Sequence, residues 1–497
     1  MIHLELIKKY EGTAPDTIVF KSKDACMNWN EFRRETEKKI LFLLKHYERN
    51  LPRQASYIAG NRIDLLPWLS ALATLGVPVT GLDYTLAPGQ LKAMNVAIGS
   101  ELVLVSSRTV CTNNVATLAQ SSTMLIDLDS LTTEFIGVCG DHVDVQACIA
   151  DAGLPKRPYR AVGFTSGTSG APKPVLRDTP FDQRRFAYFT ERYRFSDTDR
   201  FLSIMPIYHA AGNGWVRLFL SLGASIYIDT FDSPVQARKV LEDERITASV
   251  MTPVMLGGLL ESFPADARAA LPSLRWLLIG GKHLTARLKL RALTSLGPCL
   301  HEYYGTTETG VNTLADPADL LAHPDSVGRA YDGNSVRVVG PDGRAVAPGT
   351  PGTVVVDSYM NMLSYADGNA AELRIDGRRY LVTPEQGYLD QDQRLYLLNR
   401  TQEPGNATNL YRLEDTIRAL PNVGDVAILP FKGGPAPGLA CALSLKKACN
   451  DEPILIEKIR TLAALESVTF EKCAVLPAIP YSPSGKVRVT DVGAFLM

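Results

Sequence analysis

The sequence predicts an α/β chain, and three observations carry that reading. Apolar strands alternate with amphipathic helices over roughly the first 325 residues; short strands broken by Gly, Pro and Asp turns follow; and a Pro/Gly-rich stretch just after Arg400 introduces a last mixed segment. Strand–helix alternation implies a largely parallel sheet with helices on its faces, whereas closely spaced short strands imply a smaller β-rich subdomain.

Taken in order, TIVF reads as a strand, and 29–44 as a helix with Phe32, Ile40, Leu43 and Leu44 among its apolar positions. ASYIAG is a strand, 65–75 an apolar helix, and VPVTGLD, ELVLVSS and STMLIDLD are further strands. The alternation continues through ASIYIDT, a helix over 234–243, ASVMT, another helix and RWLLIGG. SVRVVG, GTVVVDS and RLYLLNR form the β-rich part. Beyond it come a helix over 412–420, the strand DVAILP, a β-rich stretch, a helix over 454–465 and a tail. The stretch TQEPGNATN has the composition of a hinge or mobile loop, so the domain break is placed near Arg400.

A chain of 497 residues is too long for one ordinary core, since single cores stop growing at roughly 250–300 residues. With 45% hydrophobic and 21% charged residues the balance is that of a soluble globular protein. A net charge of -1 and the lack of a long basic run exclude a polyanion-binding reading, so no nucleic-acid partner is expected. The cysteines at positions 26, 111, 139, 148, 299, 441, 449 and 473 show no metal-type spacing and read as reduced thiols of a cytoplasmic protein. The first residues lack the pattern of a signal peptide, and no apolar run of about 18 residues is present, so no membrane association is expected.

Three segments carry chemistry. In FTSGTSGAPK, over 164–173, an apolar strand runs into a loop of Thr, Ser and Gly closed by a lysine. Gly167 and Gly170 permit close backbone approach, and N–H groups with the hydroxyls of Thr165, Ser166, Thr168 and Ser169 can wrap phosphate oxygens while Lys173 adds a positive charge. The GxxxxGK[ST] spacing of a Walker loop is missing, and the composition alone also fits a Ser/Gly-rich surface turn. HEYYGTTETG, over 301–310, packs two aromatics, a glycine, threonines and a carboxylate together. An aromatic can stack on a purine, threonine can bind phosphate, and Glu308 can ligate magnesium, a cation that prefers oxygen; a polar turn after a strand is the plain alternative. SPSGKVR, over 482–488, places a lysine after a glycine near the end of the chain.

In this order and at these separations, and with MPIYHAAG over 205–212, the segments resemble the adenylate-forming superfamily, which groups acyl-CoA synthetases, nonribosomal adenylation domains and luciferases. The resemblance spans nearly the whole chain. It implies a large N-terminal domain of stacked mixed sheets and helices (1–399), a small mobile α+β C-terminal domain (400–497), and an active site between them. It implies ATP and Mg²⁺, and the formation of acyl-AMP and pyrophosphate from a carboxylic acid. By the same resemblance, Thr165, Ser166, Gly167, Thr168, Ser169, Gly170 and Lys173 form the phosphate loop. Tyr304, followed by Gly305, flanks the adenine, Thr307 contacts the α-phosphate, and Glu308 holds magnesium. Gly280 and Gly281 lie beside the adenine and the acid, His209 near the acyl pocket, and Lys486 bridges carboxylate and α-phosphate. These types suit the reaction, which brings two anions together and needs positioned cations and donors rather than a covalent protein nucleophile.

The sequence also departs from the family pattern. Where an aspartate usually meets the ribose hydroxyls, the chain reads TPEQGYLD, so Glu385 takes that role, with Arg400 following. The next loop, TQEPGNATNLYRLED, keeps Tyr411 and Glu414 but lacks the glycine pair and lysine that line a pantetheine tunnel in thioester-forming members. The aspartate that binds an α-amine in amino-acid-activating relatives has no counterpart in MPIYHAAGNGW, and Val250, Met251, Val254, Met255 and Leu256 suit an apolar or cyclic acid or simply a helix core. The expected activity is therefore transfer of the acyl group to an amine or amino acid, as in stand-alone members such as coronafacate–amino acid ligases. A CoA or carrier-protein thioester ligase and a non-catalytic acyl-adenylate-binding protein are the alternatives. His209 is a candidate base for the amine, since an unperturbed histidine titrates in the range that task needs.

Overall fold

The computed structural model describes every residue except 49, 111, 113, 131–142, 166–171, 264–270, 401–407, 432–437, 448–450, 484 and 497. Its largest element is a nine-stranded sheet running, in spatial order, Arg329–Ala330, Gly310–Ala315, Leu300–Thr306, Trp276–Ile279, Ala248–Met251, Arg200–Ser203, Ser225–Ile228, Ile18–Lys21 and Cys26–Asn28. The pairs from Leu300–Thr306 through Ile18–Lys21 are parallel, and the two pairs at one edge and the one at the other are antiparallel. A second sheet, Val79–Gly81, Ala55–Ile58, Leu102–Val105 and Met124–Asp127, is parallel throughout. Strands buried on both faces must be apolar along their whole length, as LVLV (Leu102–Val105) and WLLI (Trp276–Ile279) are.

The helix expected over 29–44 runs Trp29–Tyr47. Asn28 and Glu31 form a reciprocal capping box at its start, and Phe32, Ile40 and Leu43 lie on its buried face. Helices that the periodicity did not single out are Leu4–Thr13, Pro88–Ile98, Asp182–Tyr193 and Ala210–Ser221. The β-rich part forms a five-stranded antiparallel sheet. It contains the expected strands at Ser335–Val339, Gly352–Asp357 and Leu395–Asn399, plus Glu372–Ile375 and the long Arg378–Leu389.

From Leu410 on, the chain has its own core. The sheet Val423–Phe431, Gly438–Leu445 and Phe470–Leu476 is covered on one face by the helices Leu410–Arg418 and Glu452–Leu465, through Leu413, Ile417, Val426, Ile459 and Ala463. On the other face the expected tail is a helix, Val489–Leu496, with Val492 and Leu496 against Ala427, Ala440 and Ala442. The molecule is thus a large N-terminal and a small C-terminal domain. Among the described residues no helix is long and apolar enough to cross a membrane.

The small domain is fastened across the carboxyl edge of the large sheet. Arg488 donates to Thr85 Oγ1 at 2.6 Å, and Lys282 Nζ donates to the Tyr481 hydroxyl at 2.9 Å. The rings of His283 and Tyr411 stack at 4.5 Å.

Candidate active site

In a parallel sheet the loops leaving the carboxyl ends of the strands converge at one edge, where ligands of α/β proteins gather. Here Met205 to His209 follow the strand Arg200–Ser203, Thr252 follows Ala248–Met251, Gly280 and Gly281 follow Trp276–Ile279, and Thr307 and Glu308 follow Leu300–Thr306. Four segments far apart in the chain are thereby brought to one edge.

Thr165 and Lys173 close the neck of the serine–glycine loop: Thr165 N donates to the Lys173 carbonyl and Lys173 N to Thr165 Oγ1, both at 3.0 Å. Ser166, Gly167, Thr168, Ser169 and Gly170 lie outside the described residues. The ammonium of Lys173 sits 5.4 Å from the centre of the Tyr365 ring, and the Tyr365 hydroxyl donates to Glu308 Oε1 at 2.8 Å. Tyr365 therefore ties the lysine of the first motif to the carboxylate of the second. Arg177 fixes the same corner from below, donating to the carbonyls of Met360 (3.0 Å) and Thr307. Neither Tyr365 nor Arg177 stood out in the sequence. Tyr365 belongs to a two-residue strand paired with Pro174–Arg177, a contact between distant segments that leaves no local pattern.

Glu385 lies buried on the long strand Arg378–Leu389. Its carboxylate is 3.5 Å from Arg400 Nε and accepts from the Tyr411 hydroxyl at 3.2 Å. Burial raises its pKa, with Arg400 opposing. Tyr304 is buried among Val327, Val336, Val354 and Leu395, within electrostatic reach of Glu385 and Arg400. Two glycines are required by space. A Cβ on Gly305 would meet the Gly310 carbonyl oxygen at 2.2 Å, and one on Gly280 would meet the Tyr303 ring at 2.3 Å. Gly281 has φ +82°, a conformation natural to glycine.

Lys486 follows a turn in which Ser482 N donates to the Lys486 carbonyl at 2.8 Å and Lys486 N to Ser482 Oγ at 3.2 Å. The turn places the lysine within the field of Arg400, Glu308, Glu385 and His209. Burial, reinforced by Arg400, pushes its pKa down to about 8, while Glu308 and Glu385 pull it back. His209 caps the helix Ala210–Ser221, its Nδ1 accepting from Ala211 N at 3.3 Å. Burial, then Lys486, pushes its pKa down to about 3. The imidazole is therefore neutral, with its proton on Nε2, and is a much weaker base than the unperturbed histidine expected from the sequence.

Of the apolar residues singled out for the acid, Val250 and Leu256 are buried in the core, whereas Met251, Val254 and Met255 line a cavity of about 310 Å³. Its wall also includes Pro206, whose carbonyl accepts from His209 N, and Pro483 of the Lys486 turn. The divergent loop over 401–407 lies outside the described residues. Among the described residues no group of three or more His, Cys, Asp or Glu could hold a metal ion.

A family model described as AMP-binding enzyme matches residues 11–366. The chain is 26% identical over 452 residues to the indoleacetate–CoA ligase of Aromatoleum aromaticum, covering 88% of this chain and 87% of that protein. The Bacillus subtilis o-succinylbenzoate CoA synthetase, solved with ATP and magnesium, superposes with TM-score 0.80 at 19% identity, over 98% of this chain and 99% of that one. The amide bond synthetase McbA of Marinactinospora thermotolerans superposes with TM-score 0.77 at 20% identity, covering 99% of both chains. At such identities the superpositions speak for the fold. The family match extends over most of the chain and includes the first two motifs of the site, and on that ground the chain belongs to the AMP-binding enzymes of the adenylate-forming superfamily and is an adenylate-forming ligase.

Proposed function

We propose that the chain joins a carboxylic acid to AMP and passes the acyl group to an amine, forming an amide. The observation that carries the first step is the meeting of Lys486 with Glu308, Glu385 and Arg400 at the carboxyl edge of the sheet. Attack of a carboxylate on an α-phosphate needs a cation between two anions, and Lys486 is the residue the C-terminal turn delivers there. Glu385 and Arg400 hold the ribose side, Tyr304 and Gly280 the adenine, and Thr165, Thr307 and Lys173 the phosphates. One carboxylate at Glu308 fits Mg²⁺, which takes its other oxygens from phosphate and water. The ion would neutralise charge on the phosphate oxygens and on departing pyrophosphate. His209 Nε2–H serves as a donor rather than a base. Tyr303, against Gly280, supplies an aromatic ring that supports an apolar or cyclic acid.

For the second step, the absence of the glycine pair and lysine from TQEPGNATN supports an amine acceptor over pantetheine. Relatives such as the indoleacetate–CoA ligase favour a second reading in which CoA takes the acyl group. A panel of acids assayed for pyrophosphate release, followed by equal concentrations of CoA and small amines with products identified by mass, separates the two. Amides are expected. A predominantly CoA-thioester product would refute the amide reading and leave adenylation standing.

A further inference from the structure

We infer that the acceptor is a cationic amine with an apolar spine and a second positive group, held in the cavity beside the Lys486 turn. This rests on the amide reading above. The cavity, about 310 Å³, is at the small end of ligand pockets, which span about 300–1,000 Å³. Its apolar wall includes Ile204, Phe231, Met251 and Met255, and among the described residues its lining contains two carboxylates, Asp229 and Asp232, and no lysine or arginine. Asp229 is half-buried and held by Lys23 N (2.9 Å) and Thr230 N (2.8 Å); Asp232 is exposed.

The cavity shares walls with the reaction centre through Pro483, three residues before Lys486, and Met251, whose carbonyl accepts from Gly280 N at 3.3 Å. Its charge decides what it admits. A carboxylic acid would meet two like charges and, among the described lining residues, no counter-charge, so the cavity does not serve the acid. The phosphates of CoA would meet the same repulsion. An ammonium gains from both carboxylates, and the hydrocarbon behind it gains from the apolar wall.

A diamine satisfies the whole lining: one nitrogen stays charged at the carboxylates while the other, deprotonated, attacks the acyl carbon. The new C–N bond forms as the C–O bond to the phosphate breaks. AMP leaves with that electron pair, and the two protons lost by the attacking ammonium pass to solvent or to the departing phosphate.

The test uses the full-length enzyme, ATP, Mg²⁺ and an acid already shown to release pyrophosphate. It compares kcat/KM for hexane-1,6-diamine, hexylamine and 6-aminohexanoate, with CoA as a fourth arm. Ion pairs at partly exposed carboxylates give up to about 1 kcal/mol, so the diamine should exceed hexylamine by up to about fivefold, and 6-aminohexanoate should fall below hexylamine. Asp232→Asn should shrink the diamine preference through KM, and Asp232→Glu should keep it. Equal use of all three amines, or a preference that survives in the Asp229→Asn, Asp232→Asn double variant, overturns the inference while amide formation stands. A CoA thioester with no amide from any amine overturns the amide reading, and this inference with it.

Discussion

An ammonium withdrawn from water and set beside Arg400 gives up its proton more readily than a solvated lysine, and the Lys486 pKa is pushed down to about 8 for that reason, against the pull of Glu308 and Glu385. Its charged form, which the proposed role in adenylation requires, is present below that value. kcat/KM for adenylation should therefore fall about tenfold per pH unit above about 8 in the free enzyme; a profile flat to pH 10 would remove Lys486 from the step. The stability signature has the matching sign. Between about 8 and the unfolded value near 10.4 the unfolded chain binds the extra proton, so this residue's contribution to stability rises with pH through that window. Lys486→Ala should lower acyl-AMP formation by on the order of 10² or more and abolish this pH limb, with the fold intact by circular dichroism. At Glu308, whose Oε1 is already oriented by Tyr365, the variant Glu308→Gln should raise the magnesium concentration for half-maximal activity. Losing partners around a metal ligand typically costs 10–100-fold, so removing the ligand's charge should cost at least about tenfold. An unchanged magnesium titration would count against this role.

At the scale of elements, the turn 482–488 depends on one glycine. Gly485 has φ +73°, and a Cβ there would meet Thr252 Oγ1 at 2.4 Å. Thr252 is not free to yield, because it is buried and caps the helix Pro253–Glu261. Gly485→Ala should therefore displace Lys486 from the edge of the sheet and cut adenylation by about tenfold or more, while the melting temperature moves by only a few degrees. Near-normal adenylation in this variant would mean that the turn does not set the position of the lysine. The sequence showed this turn, the Thr/Ser/Gly loop and the 301–310 segment because each compresses unusual residue types into a few positions. It also showed the parallel strands, because a strand covered on both faces needs an uninterrupted apolar run, and short runs of that kind between turn residues are easily seen. The helix Ala210–Ser221 was harder to see, because its first two turns carry two glycines: Gly212, where a Cβ would meet the Pro206 carbonyl oxygen at 2.2 Å, and Gly214, against the Arg185 guanidinium. Close packing, rather than helix propensity, chose those residues.

For the molecule as a whole, the contacts that join the two domains are the part least visible in the sequence. Lys282 on Tyr481, His283 on Tyr411 and Arg488 on Thr85 link residues about 130 to 400 positions apart, and no local pattern announces such pairs. The same holds for Tyr365 between Lys173 and Glu308. The setting of His209 was equally hidden, because a histidine's pKa belongs to its surroundings and burial here removes most of its basicity. What these long-range contacts accomplish is one assembled edge. The small domain brings Lys486 to the carboxyl ends of the large sheet, within the field of Glu308, Glu385 and Arg400. Adenylation followed by acyl transfer fixes where each oxygen of the acid's carboxylate goes. With both carboxylate oxygens labelled by ¹⁸O, and with ATP, Mg²⁺ and an amine present, mass spectrometry should find one label in AMP and the other in the amide carbonyl. Label in ADP or inorganic phosphate, or none in AMP, would contradict it.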